Sequence, residues 1–117
     1  MYSLLYFLDL NAGRARVIKQ PKDAVSNLGQ EVRFNCTVED MTAQDNLIWW
    51  HRPFGSQRAT KLFESNPSGS AVSSQFVEVV GTYDIIVRNV SLEHSGEFMC
   101  QLVKMQNYTA QLTVVGE

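Results

Sequence analysis

The sequence predicts an all-β chain in which two antiparallel sheets pack face to face as a sandwich. Three observations lead there. Apolar residues recur at every second position through much of the chain, the period of strands with one buried face. No stretch longer than one turn keeps the 3.6-residue period of an amphipathic helix. The only two cysteines, Cys36 and Cys100, lie 64 positions apart, with Trp49 between them. In a β-rich chain of this length, that spacing is expected where a disulfide joins two inner sheet faces and an indole packs against it. Such a bridge closes a long loop and stabilises the fold by roughly 4 kcal/mol in the chain-entropy model.

The elements follow in order. Pro21 cannot donate to a ladder, so it breaks the first strand or places it at an edge. Val32, Phe34 and Cys36 share one face of the next strand, and Leu47 and Trp49 share the inner face of the one after. Asn66-Pro67-Ser68-Gly69-Ser70 is turn chemistry. Tyr83, Ile85 and Val87 form a further inward set, as do Phe98, Cys100 and Leu102, and then Ala110, Leu112 and Val114. Trp49 and Phe98 are the expected core aromatics. The outward residues on the same strands are Ile48, Trp50 and Arg52; Met99, Gln101 and Val103; and Thr109, Gln111 and Thr113.

The Cys36–Trp49–Cys100 pattern and the run Ser95-Gly96-Glu97-Phe98-Met99-Cys100 resemble a variable-type (V-set) domain of the immunoglobulin superfamily, from about Val17 to Val115. The interval from Trp49 to Cys100 leaves room for the two extra strands of the variable type, C′ and C″. Trp49-Trp50-His51-Arg52-Pro53-Phe54-Gly55 resembles the Trp-x-Tyr-x-Pro-x-Gly run of myelin protein zero and some voltage-gated sodium-channel beta subunits. Asn89-Val90-Ser91-Leu92-Glu93-His94-Ser95-Gly96 resembles the stretch before the second cysteine in those subunits.

Two positions depart from the family. His94 stands where an aspartate usually pairs with an arginine, and no arginine occurs between Arg58 and Arg88. Phe98 replaces the corner tyrosine. The resemblance therefore implies a lower end of the sandwich that is less tightly tied.

The resemblance also implies that the three outward sets are neighbours in one sheet, on the face called GFCC′. Trp50, Arg52, Met99, Gln101, Val103 and Gln111 would then form a weakly polar binding patch around an exposed indole, and tryptophan and methionine are favoured at interface cores. The implied function is extracellular protein recognition or cell adhesion. The partner would be a second copy, as a weak homodimer, or another cell-surface protein. The alternatives are an accessory ectodomain of a voltage-gated channel and a soluble immune-type ligand binder. Against the first stands the absence of an additional cysteine pair. Against the second stand a short hairpin near Lys104 to Tyr108 and the lack of a Phe-Gly-x-Gly joining motif. A muscle-type intracellular repeat fits the sequons and the length poorly.

Composition narrows the classes further. The 117 residues suit one domain, and 10 basic against 12 acidic residues give a net charge of −2 with no basic stripe for nucleic acid. The basic residues near the start, Arg14, Arg16, Lys19 and Lys22, read as a solvated strand. The cysteine pair implies an oxidising compartment, so the expected localisation is secreted or on the cell surface. Residues 1–15, with Leu4-Leu5-Tyr6-Phe7-Leu8, read either as a signal peptide or as an N-terminal extension; residues 16–117 form the single variable-type domain. No run approaches the roughly 20 apolar residues of a membrane span.

Asn35-Cys36-Thr37, Asn89-Val90-Ser91 and Asn107-Tyr108-Thr109 are glycosylation sequons. Asn35 is expected opposite the GFC face, Asn89 partly buried, and Asn107 in the last hairpin at the rim of the patch. No catalytic, metal or cofactor site is expected, and no enzyme. His51 and His94 are the only imidazoles, on separate elements without an orienting third group. Both cysteines are consumed by the bridge. Glu39, Asp40 and Asp45 read as solvated loop charges.

Overall fold

The computed structural model describes residues 14–66 and 76–116. The apolar run at 4–8, and the turn at 66–70 beyond Asn66, lie outside the described residues. The first strands among the described residues are β1 (Arg16–Lys19) and β2 (Ala24–Asn27), split around the buried Pro21. Proline cannot donate to either ladder, so the chain changes sheets at this break. β1 pairs antiparallel with β4 (Thr37–Glu39), while β2 runs parallel to β10 (Gln106–Val115).

With β9 (Gly96–Leu102), β5 (Leu47–Pro53) and β6 (Thr60–Glu64), these strands form a five-stranded sheet ordered β2-β10-β9-β5-β6. Facing it is a sheet ordered β3-β8-β7, from β3 (Val32–Phe34), β8 (Asp84–Val87) and β7 (Val77–Val80). A 3-10 turn, Leu92–His94, precedes β9.

Period-2 alternation decides which side chains meet between the sheets. From Leu47 to His51 in β5, and throughout β9, every second residue is buried. Trp49, Phe34 and Phe98 are fully enclosed, and Cys36 and Cys100 form the disulfide beside them. The Trp49 indole N–H donates to the Tyr83 carbonyl at 2.7 Å, so burial leaves no orphaned donor. Phe34 stacks on Phe98 with ring centroids 4.9 Å apart. Gly96 starts β9 against the end of β5, where a Cβ would lie 2.3 Å from the Arg52 carbonyl oxygen; its φ of +151° also excludes other residues.

The 83–87 segment departs from the expected alternation. Tyr83 precedes β8 and is half-buried against Phe63, while all four residues of β8 are buried. Ile86 lies directly between Arg33 and Glu78, whose long side chains flank it. Asp84 fills the gap between β3 and β4. Its carboxylate accepts the Cys36 N–H at 2.7 Å and the Thr37 hydroxyl at 3.3 Å, and pairs with Arg33 at 2.8 Å. A buried carboxylate needs such partners, and here it takes the N–H that the interrupted strand would have given to a neighbour.

The lower end, marked by the 3-10 turn, is tied differently from the family pattern. His51 is only 5% exposed. Its ring lies 4.5 Å from that of Phe98, and its Nε2–H donates to the His94 carbonyl at 3.0 Å. The His94 ring stacks on Phe76 at 4.4 Å, and its Nδ1 accepts the Ser91 N–H at 3.0 Å. An aromatic and imidazole cluster thus stands where the ion pair and tyrosine corner are missing, and it corrects the expectation of a loosely tied end. The two histidines lie on different elements as expected, β5 and the 3-10 turn, and those elements meet here.

Candidate binding face

The outer face of the five-stranded sheet is built by register. Across β5, β9 and β10, three rows of side chains line up: Ile48, Gln101 and Asn107; Trp50, Met99 and Thr109; Arg52, Glu97 and Gln111. All nine share the parity opposite to the buried set, because successive strand residues point to opposite faces.

Trp50 is half-buried, not exposed as expected. Its indole N–H donates to Gln101 Oε1 at 2.8 Å. The ring borders a hollow of about 100 Å³ shared with Arg52, Ala59, Glu97, Met99 and Thr109. Arg52 donates through Nη2 and Nε to Glu97 Oε1 at 2.5 and 3.1 Å, and through Nη1 to the Ser56 carbonyl at 2.9 Å. One edge of the hollow is therefore a fixed ion pair, and the rest is largely apolar. Farther out, Lys61 bonds Glu64 at 2.6 Å. That bond, and a second from Asn46, hold the Glu64 carboxyl below the usual carboxylate range.

Of the six residues expected in the patch, Trp50, Arg52, Met99, Gln101 and Gln111 share this face. Val103 does not. β9 ends at Leu102, and Val103 opens the three-residue turn to β10, its N–H bonded to the Asn46 carbonyl at 2.9 Å. It borders a separate depression with Gln44, Asp45 and Lys104 at the other end of the sandwich. Parity identified its side of the strand but not where the strand stops. Glu97 was legible in the same parity and was not singled out. Ala59 carried no signal, since its place depends on a register shift between Trp49 and Trp50.

The sequons fall on three surfaces. Asn35 is half-buried, outward from the sheet opposite this face. Asn89 is exposed, not partly buried, with φ of 52°, a left-handed turn that asparagine tolerates. Asn107 is exposed on β10 directly across from Gln101, in the end row of the face and thus at its rim, as expected. Of the acidic residues expected in a loop, Glu39 instead ends β4 opposite Arg16, which pairs with it and with Asp40, and Asp45 accepts the Thr42 N–H at 2.9 Å. Among the described residues no group of His, Cys, Asp or Glu is gathered to hold a metal ion, and no helix is long and apolar enough to cross a membrane.

No family model and no curated protein sequence matches the chain. Solved structures match its fold. The first immunoglobulin domain of the mouse polymeric immunoglobulin receptor superposes with a TM-score of 0.65 at 17% identity, covering 86% of this chain and 96% of that one. Domain I81 of titin gives 0.62 at 14% identity over 86% and 96%, and murine CRIg gives 0.62 at 11% over 87% and 98%. The chain is thus an immunoglobulin-like β-sandwich. Within that architecture it has a Cys36–Cys100 bridge between the sheets and an outward Trp50–Met99 hollow on the larger one.

Proposed function

We propose that this domain is an extracellular protein-recognition and adhesion module that binds through the outer face of its five-stranded sheet, first of all to a second copy of itself. The hollow between Trp50 and Met99 carries this reading. A half-buried indole beside a methionine, closed on one side by a fixed ion pair, suits the anchor of an interface: large apolar area, preordered polar edges and little side-chain freedom left to lose. The face bears charges of both signs, Arg52 and Lys61 with Glu64 and Glu97, so it can meet its own copy without net repulsion.

The disulfide and three sequons favour an oxidising, glycosylating compartment. The parallel β2–β10 pair and β6 beside β5 support the variable-type reading. The short 103–105 turn disfavours recognition through long hypervariable loops.

Glycan-free protein, refolded with its disulfide, provides the test. Sedimentation and adhesion of coated beads should both report self-association that Trp50→Glu abolishes, because that change buries an unpaired charge in the contact. Unchanged association in Trp50→Glu, with circular dichroism showing an intact fold, would exclude this face.

A further inference from the structure

We propose that an N-linked glycan on Asn107 closes this face, so that occupancy of one sequon sets whether the domain can associate through it. The inference rests on the recognition reading above and adds its regulation.

Asn107 is exposed, and among the described residues its side chain makes no hydrogen bond. It lies opposite Gln101, the residue that holds the Trp50 indole N–H. The hydroxyl residue of the same sequon, Thr109, borders the Trp50 hollow. Asn107 and Trp50 are two strands and one row apart, about 12 Å from strand spacing and rise. A branched oligosaccharide is bulky and solvated and, rooted there, projects over the hollow.

The modification needs a lipid-linked oligosaccharide diphosphate as donor. The Asn107 amide nitrogen forms a bond to the anomeric carbon and gives up a proton. The anomeric C–O bond breaks, and the lipid diphosphate leaves. The other sequons do not reach this surface: Asn35 lies on the opposite sheet and Asn89 beside the 3-10 turn.

The experiment uses protein secreted from a glycosylating host, with peptide mass mapping for occupancy and sedimentation for association. Wild type should carry a glycan on Asn107 and remain monomeric. Asn107→Gln should associate at least about tenfold more tightly, a difference of about 1.4 kcal/mol. Asn89→Gly removes a sequon at a left-handed position without backbone strain and should stay monomeric, which separates a local effect from general glycan solubility. Adding Trp50→Glu to Asn107→Gln should restore the monomer.

An unoccupied Asn107 overturns the proposal. So does an occupied Asn107 whose protein associates as tightly as Asn107→Gln, and in that case Trp50→Glu sensitivity leaves the recognition reading standing. If Asn107→Gln and glycan-free protein both fail to associate, the recognition reading itself fails and the gate goes with it.

Discussion

Trp49 and Trp50 are adjacent in one strand and belong to different worlds. Trp49 is wholly enclosed between the sheets, its N–H fixed on the Tyr83 carbonyl. Trp50 points the other way and lies half-covered on an outer face, its N–H held by a side chain, Gln101. The inner indole is fixed by the backbone of the turn that leads into β8 of the opposite sheet, so moving it disturbs the whole sandwich. The outer one is fixed by a neighbour's side chain, so it can be altered while the fold persists. One strand thus separates a core indole from an outward one by parity alone, and a one-residue slip would exchange the two positions.

Substitutions test that separation. Trp49→Ala should cost roughly 3–5 kcal/mol as a core truncation, read by chemical denaturation. Replacing both Cys36 and Cys100 by Ala should cost roughly 2–5 kcal/mol; a smaller loss would mean that the inner face holds without its bridge. Trp50→Ala should lie below about 1 kcal/mol, the range of surface changes that leave no buried group unpaired. If it costs as much as Trp49→Ala, the two faces are not independent. Arg52→Ala should have the smallest effect on stability, about 0.2–1 kcal/mol, because the pair with Glu97 is partly solvated.

The lower end adds a pH dependence to the inner face. Burial pushes His51 below the usual imidazole range, partly offset by its bond to the His94 carbonyl. Burial also lowers His94, which nearby Glu93 partly counters. His94 must be neutral to keep its place, since its Nδ1 accepts the Ser91 N–H, and burial disfavours the charged form of His51 although its Nε2–H bond would survive protonation. The unfolded chain therefore binds protons more readily than the folded one. Stability should be full above the ordinary histidine value of about 6.5 and fall as pH drops below it, levelling off beneath the folded values. Melting temperatures between pH 7.5 and 5 should show this drop, and His51→Phe should flatten it. An equal drop in His51→Phe would place the acid sensitivity elsewhere.

What the sequence made legible was whatever depends on alternation. The inward sets of β5, β9 and β10, the disulfide and the roles of Trp49 and Phe98 all follow from a period of two. What it concealed depends on where strands stop and what crosses between them. Val103 has the right parity but lies past the end of β9. Asn107 lies in the last hairpin as expected, but its pairing with Gln101 depends on the turn taking only three residues. Asp84 reads as a polar strand residue, and its burial is intelligible only once the gap at Cys36 is known. His51 and His94 meet only because β5 ends beside the 3-10 turn. None of these juxtapositions has a local sequence signal.

The parallel union of β2 with β10 also bears on how the domain carries load. Both strands run toward the 3-10-turn end, joined over four consecutive residue pairs from Ala24 with Leu112 to Asn27 with Val115. Tension applied between the start of β2 and the end of β10 acts along those strands in opposite senses. It therefore shears the hydrogen bonds between them together instead of unzipping them in turn. Beyond that joint, the Cys36–Cys100 bridge keeps the intervening loop from paying out. The architecture that turns Trp50 outward on one sheet is thus also suited to hold under a pull along its length.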